Sequence, residues 1–144
     1  MVVEIFRSVG AVIAGLIVAL ILVVAVKGIY PFPLSVDPND YQGLEWHVAN
    51  IRRWLLGAMV AWWGMTALVS SCVATQLGPG RHAAHGGVVG FLLFLPMIAN
   101  MIVLPYPLWF EVANLVTIPV ATIFGTMLGR GTIFGRRQPS DALA

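Results

Sequence analysis

Apolar positions along this chain fall into four long, nearly unbroken runs, and the breaks between them are short and rich in proline, glycine and arginine. The runs predict helices over residues 8–28, 54–77, 86–104 and 108–128. Each matches the roughly 20 apolar residues that carry a helix across a hydrocarbon core about 30 Å thick. The stretch from Asn100 to Asn114 fixes how the last two are joined. Pro105 ends one helix and Pro107 starts the next, because proline lacks an N–H, disrupts a helix interior and suits a first turn. So tight a connection makes the two helices antiparallel neighbours. At about 1.5 Å per residue, Asn100 and Asn114 then lie roughly 6 and 7.5 Å inside their helices, close to level. Pro96 and Pro119 are expected at matching depth near the bilayer midplane, each freeing a carbonyl four residues earlier, on Leu92 and Leu115.

The first run, Ser8 to Val26, carries no charge. It is longer than the 7–15-residue apolar core of a cleaved signal peptide, and Val-Lys-Gly-Ile-Tyr after it is a poor cleavage site, so a retained first span is expected. Within it Ala11, Gly15 and Ala19 recur every fourth residue, a small-residue stripe that lets another helix approach closely. Ala121, Gly125 and Gly129 make a similar stripe on the fourth span, and Ala67, Ser71 and Thr75 a weakly polar one on the second. The first and fourth stripes lie at the same end of the protein, so contact between those two spans is the expectation. Small residues are also common in any membrane helix.

Residues 30–53 form the one substantial polar segment. Pro31 and Pro33 favour an extended start. Asp37-Pro38 has the form of a helix cap followed by proline at the first helical position, with Asp40 in the first turn. Tyr41, Leu44, Val48 and Ile51 then share one helical face, predicting a short amphipathic helix on the membrane surface or over the bundle mouth. Gly78-Pro79-Gly80 ends the second span, Arg81 to His85 makes a short basic loop, and 129–144 reads as a solvated tail. The fold class is therefore an all-α, polytopic membrane four-helix bundle in a single domain, with a short outer amphipathic helix.

Composition sharpens this picture. Hydrophobic residues make up 59% of the chain and charged ones only 10%, against about 25% charged in soluble domains, and mean hydropathy is +0.89. Eight Lys and Arg against six Asp and Glu give +2, with no basic, aromatic-interleaved stripe for nucleic acid. Cys72 is the single cysteine, so no intramolecular disulfide can form. Four crossings put both termini on one side with Arg7, Arg81, Arg130, Arg136 and Arg137, while Lys27, Arg52 and Arg53 lie opposite. The positive-inside rule places the termini in the cytoplasm. The opposite face collects Tyr30, Tyr41, Trp46, Trp54, Tyr106 and Trp109 with Asp37, Asp40, Glu45 and Glu111, an aromatic belt under a partly acidic lid.

A Pro-x-Pro and Asp-Pro outer loop, together with Ala99-Asn100 and the Pro105-x-Pro107-x-Trp109-Phe110 hairpin, resembles a widespread group of uncharacterised bacterial four-helix inner-membrane proteins. The resemblance covers most of the chain. It implies a bacterial inner (cytoplasmic) membrane location and no assigned activity, so it supplies no functional residues. The chain does not resemble small multidrug-resistance transporters, whose first helix carries an acid; Ser8 to Val26 has none.

The candidate chemistry is sparse. Asn100 and Asn114, joined by Glu111, are either an interhelical polar pair holding the hairpin shut or the lining of a solute path helped by the carbonyls near Pro96 and Pro119. Ordinary use of membrane amides favours the pair. Glu111 sits where a helix dipole favours a carboxylate. His82 and His85 would supply two ligands where a metal site needs three or four; Asp37, Asp40, Glu45 and His47 offer a divalent-ion site on the outer face, but capping accounts for both aspartates without one, so no metal and no cofactor are expected. Trp62 and Trp63 read as packing or lipid-facing bulk. No Ser-His-Asp set, Cys-x-x-Cys, His-Glu-x-x-His or phosphate loop occurs, and an enzyme is not expected. The expected role is a non-enzymatic accessory or self-associating membrane subunit, partnered by the lipid bilayer and by its own copies or other membrane subunits. The alternative is an oligomeric small-solute or ion conduit.

Overall fold

The computed structural model describes residues 2–29 and 40–131. Five helices are present among them: α1 (Val2–Ile29), α2 (Tyr41–Ala49), α3 (Arg53–Leu77), α4 (Ala83–Val103) and α5 (Leu108–Arg130), with a 3-10 turn at Pro79–Arg81. The four long helices pack as a bundle, and each is long and apolar enough to cross a membrane. Pro31, Pro33, Asp37-Pro38, Arg136 and Arg137 fall outside the described residues.

Helix ends follow local chemistry. α1 begins well before Ser8, because Val2 to Arg7 contains no helix breaker and places Glu4 in the first turn, where the dipole favours an acid. The start of α2 falls on Asp40, whose Oδ1 accepts the Gly43 N–H at 3.1 Å, so Asp40 is the capping residue instead of lying inside the first turn. On α2, Val48 is buried and Trp46 exposed. α3 ends where Gly78 donates its N–H to Ala74 O at 3.1 Å and Pro79 follows. Gly80 supplies the left-handed backbone, φ 63°, that turns the chain toward α4. At the far end α4 stops at Val103, and Pro107 caps α5, its carbonyl accepting the Phe110 N–H at 2.8 Å. α5 runs through Gly129 and Arg130, past the point where the tail was expected to begin, and Gly131 closes it at φ 74°.

The bundle is organised around α3. Its largest contacts are with α5 and then α1, and α4 packs against α3, α5 and, more lightly, α1. This corrects the expectation that the first and fourth spans meet through their stripes. The α1 stripe faces α3 and α4: a Cβ on Gly15 would lie 2.8 Å from Ala74 Cβ, 2.9 Å from Ser70 O and 3.0 Å from Val89 Cγ2. The α5 stripe faces another side of α3: a Cβ on Gly125 would strike Leu68 O, and one on Gly129 would lie 2.7 Å from both Cys72 O and Thr75 Cβ. Two glycine stripes on outer helices bind one central helix whose own residues are small on several faces. Ala67, Met97, Ile118 and Ala121 form the apolar core, flanked by Trp63, Leu68, Leu93, Phe94 and Met101.

Candidate functional site

The polar chemistry inside the bundle begins on α3. Thr66, Ser70, Ser71 and Thr75 are fully buried. In hydrocarbon a hydroxyl must find an acceptor within the protein, and two do so on their own helix: Thr66 Oγ1 donates to Trp62 O at 2.9 Å and Ser70 Oγ to Thr66 O at 2.6 Å. On α5, Thr126 Oγ1 donates to Ile123 O at 2.7 Å. Ser71 Oγ, Thr75 Oγ1, Thr122 Oγ1 and Asn114 Oδ1 are buried without such a partner. Two of these atoms face glycines across a helix pair. A Cβ on Gly86 would strike Thr75 Oγ1, and a Cβ on Gly90 would strike Thr122 Oγ1. The absence of a Cβ at these two glycines is what lets α4 approach the two threonine side chains so closely.

The second polar group lies at the hairpin mouth. Asn100 Nδ2 donates to Tyr106 Oη at 3.2 Å. The Tyr106 ring stacks on Phe110 with centroids 4.7 Å apart, and Trp109 meets Phe110 edge-on at 6.1 Å. Phe110 is buried, and its carbonyl accepts Asn114 Nδ2 at 2.9 Å. Burial pushes the Tyr106 phenol above its ordinary pKa, with the Asn100 hydrogen bond opposing in part. Asn100 and Asn114 are therefore not a pair. Asn100 is exposed and tied to the turn, whereas Asn114 is fully buried and tied to its own helix. Glu111 is half-buried in the first turn of α5. Pro96 and Pro119 are exposed on the outside of the bundle, as are Leu92 and Leu115, so they do not line its interior. Pro105 is exposed in the turn, and Pro107 is the residue that caps α5. Of the two packing stripes, Ala11, Gly15, Ala19, Ala121, Gly125 and Gly129 are all buried.

One contact between spans escaped the sequence reading. Trp62 Nε1 donates to Leu22 O at 3.0 Å, pinning α1 to α3 inside the apolar zone. The signal was present, since an indole N–H in mid-membrane needs an acceptor. What sequence could not supply was which backbone carbonyl lay opposite.

At the basic end, His85 is half-buried, its Nδ1 3.1 Å from His82 O, and Arg81 and His82 are exposed. Among the described residues no three His, Cys, Asp or Glu side chains converge in a way that could hold a metal ion.

These features define a multi-pass integral membrane protein with four spans and a closely packed interior. Comparison with protein-family models, with curated proteins and with solved structures finds no match.

Proposed function

We propose that this protein acts by contact within the membrane, as a non-enzymatic accessory or self-associating subunit of a bacterial inner membrane, with both termini cytoplasmic. The observation that carries the reading is the uneven burial of the spans. Only 17% of the most apolar window of α1 is buried, against 39% in α5. Val9, Ile13, Ile17, Leu20 and Val24 remain exposed on successive turns of α1, a continuous apolar ridge that would seat against lipid or another helix. The helix contacts inside the bundle, by contrast, are closed by buried glycine, alanine, serine and threonine together with Leu56, Val89, Phe110 and Ile118. Asn100 on the outer surface and Asn114 bonded to its own helix give little support to a polar path through one chain.

The experiment is a native mass measurement from membranes, with co-purifying proteins identified. A fixed homo-oligomer or a stoichiometric membrane partner is the expected result. A lone monomer would overturn the reading. So would proteoliposome solute flux that is lost in an Asn100→Leu, Asn114→Leu double variant with unchanged fold, which is the behaviour of a conduit.

A further inference from the structure

Of the four buried oxygens without a hydrogen-bond partner, three belong to the seam where α4 lies against α3 and α5. Thr75 Oγ1 lies against Gly86 and Thr122 Oγ1 against Gly90, and Ser71, one turn before Thr75 on the same face of α3, has its carbonyl beneath Gly86. This is the half of the seam nearer the basic end, where α3 stops at Leu77 and α4 starts at Ala83. The facing part of α4 is a weak helix. Gly86, Gly87 and Gly90 all stand in its first eight residues, glycine being the poorest helix former after proline, and at Gly87 a Cβ would meet nothing within 4 Å, so packing does not account for it. The side-chain hydrogen bonds of α4 go to the turns at its two ends, His85 with His82 O and Asn100 with Tyr106 Oη. Beside Gly90 the seam holds a groove of about 240 Å³ between Phe91 and Phe94 of α4 and Pro119 and Thr122 of α5. Farther along, Met97 is fixed in the core with Ala67, Ile118 and Ala121. Pro96 stands between the two halves and has no N–H to give Leu92 O.

We propose that the first half of α4 is a gate: it swings about Pro96 away from α3 and α5 and admits water from the basic end to Thr75, Ser71 and Thr122, while Met97 and its neighbours stay closed. With the gate shut, each of these hydroxyls is withdrawn from water without an acceptor, a cost that opening relieves because water supplies the bond. Valine at 75 and 122 would fit the shut seam as well and carry no such cost. The bend falls where the backbone resists it least, at the helical bond that Pro96 cannot make. Thr75 is wetted first, since it lies less than one helical turn from the end of α3, and Ser71 a turn deeper. The opening is one-ended, because the apolar cluster of Ala67, Met97, Ile118 and Ala121 stops it. It is therefore independent of the contact reading, as a monomer and a bound subunit can open in the same way.

The test is hydrogen–deuterium exchange, read by mass spectrometry on the full chain in nanodiscs, comparing amides 87–95 with amides 97–103. Relative to intrinsic rates, 87–95 should exchange faster. Thr75→Val and Thr122→Val keep the side-chain shape and remove the hydroxyl, so each should slow exchange of 87–95 by about 5–150-fold, the equivalent of one buried unsatisfied polar group. Thr66→Val deletes a hydroxyl already bonded to Trp62 O and should not slow it. Equal protection of the two halves would overturn the proposal. So would unchanged or faster exchange in either Thr75→Val or Thr122→Val, or an equal slowing in Thr66→Val, which would mean general stiffening. Pro96→Ala, at an exposed position, supplies the missing donor to Leu92 O and should also slow exchange of 87–95; no slowing there would remove the hinge. The unmodified chain and Pro96→Ala decide the matter even where a valine variant fails to fold.

Discussion

Gly86 and Gly87 are adjacent residues in the first turns of α4, yet the structure predicts opposite outcomes for the same substitution. A Cβ on Gly86 would strike Thr75 Oγ1, would lie 2.5 Å from Ser71 O and 2.6 Å from Thr126 Cγ2, and so would collide with both α3 and α5. A Cβ on Gly87 would meet nothing within 4 Å. Ser71 O is a backbone atom in a buried helix and cannot rotate aside. Restoring ordinary contact means moving α4 by about 1 Å, and forced shifts of this kind cost roughly 1–3 kcal/mol. Replacing glycine by alanine in a helix returns about 0.8–1.0 kcal/mol through backbone propensity. That gain is common to both variants and cancels between them.

Gly86→Ala should therefore be less stable than Gly87→Ala by about 1–3 kcal/mol, and less stable than the unmodified chain despite its better helix former. The assay is denaturant-induced unfolding of both variants in the same micelle. Gly15→Ala against Gly10→Ala repeats the comparison on α1, where Gly10 is open and Gly15 has contacts of 2.8–3.0 Å. The penalty there should be smaller, because the overlap is smaller. Equal stability of Gly86→Ala and Gly87→Ala would refute the claim that α4 is seated by close backbone approach.

Trp62→Phe removes the indole donor to Leu22 O and should destabilise the protein by about 0.6–1.7 kcal/mol, the range of measured hydrogen bonds between membrane helices; unfolding in micelles that leaves stability unchanged would contradict it. Asn100→Ala and Asn114→Ala should be additive within about 0.3–0.5 kcal/mol in a double-mutant cycle, as for independent sites, whereas a larger coupling energy would restore the amide pair. Because burial raises the Tyr106 pKa in the folded state, the phenol stabilises the fold fully below its unfolded value of about 10, and that contribution is lost as pH rises through the folded value. Unfolding temperature should therefore fall with rising pH above about 10, and Tyr106→Phe should flatten that fall. Arg81 holds φ 52°, a left-handed conformation costing a residue with a Cβ about 1–2 kcal/mol, so Arg81→Gly should not lower stability in thermal unfolding.

Length and apolarity made the four spans legible, because an uninterrupted apolar run long enough for a bilayer has few other uses. The turn at Pro105 and Pro107 was legible for a similarly local reason, since proline acts on its own backbone. The short helix between the first two spans was legible, but its cap lies at Asp40, because an aspartate at either 37 or 40 satisfies the same local rule. Which helices touch was not legible. The stripes at Ala11, Gly15, Ala19 and at Ala121, Gly125, Gly129 mark surfaces that admit a neighbour, but a small-residue surface has no partner code of its own. Equal depth likewise placed Asn100 and Asn114 level without saying that one would turn outward to Tyr106 and the other inward.

The partner was instead selected by α3. Both outer stripes fit it because it offers small residues on more than one face: Ser70 and Ala74 toward α1, Leu68 O and Cys72 O toward α5, and Ser71 with Thr75 toward α4. In lipid an interhelical surface gains little from hydrophobicity, so close packing and polar contacts decide association. A helix rich in buried Ser and Thr is suited to this, because its side chains are short: Thr66 and Ser70 bond their own carbonyls, and Thr75 leaves room for the backbone at Gly86. α1 lacks such residues along most of its length and keeps a broad apolar ridge free. α3 thus holds α5 and α1 on different faces, and α1 is fixed to it by the close approach at Gly15 and the Trp62 bond while its far side stays uncovered.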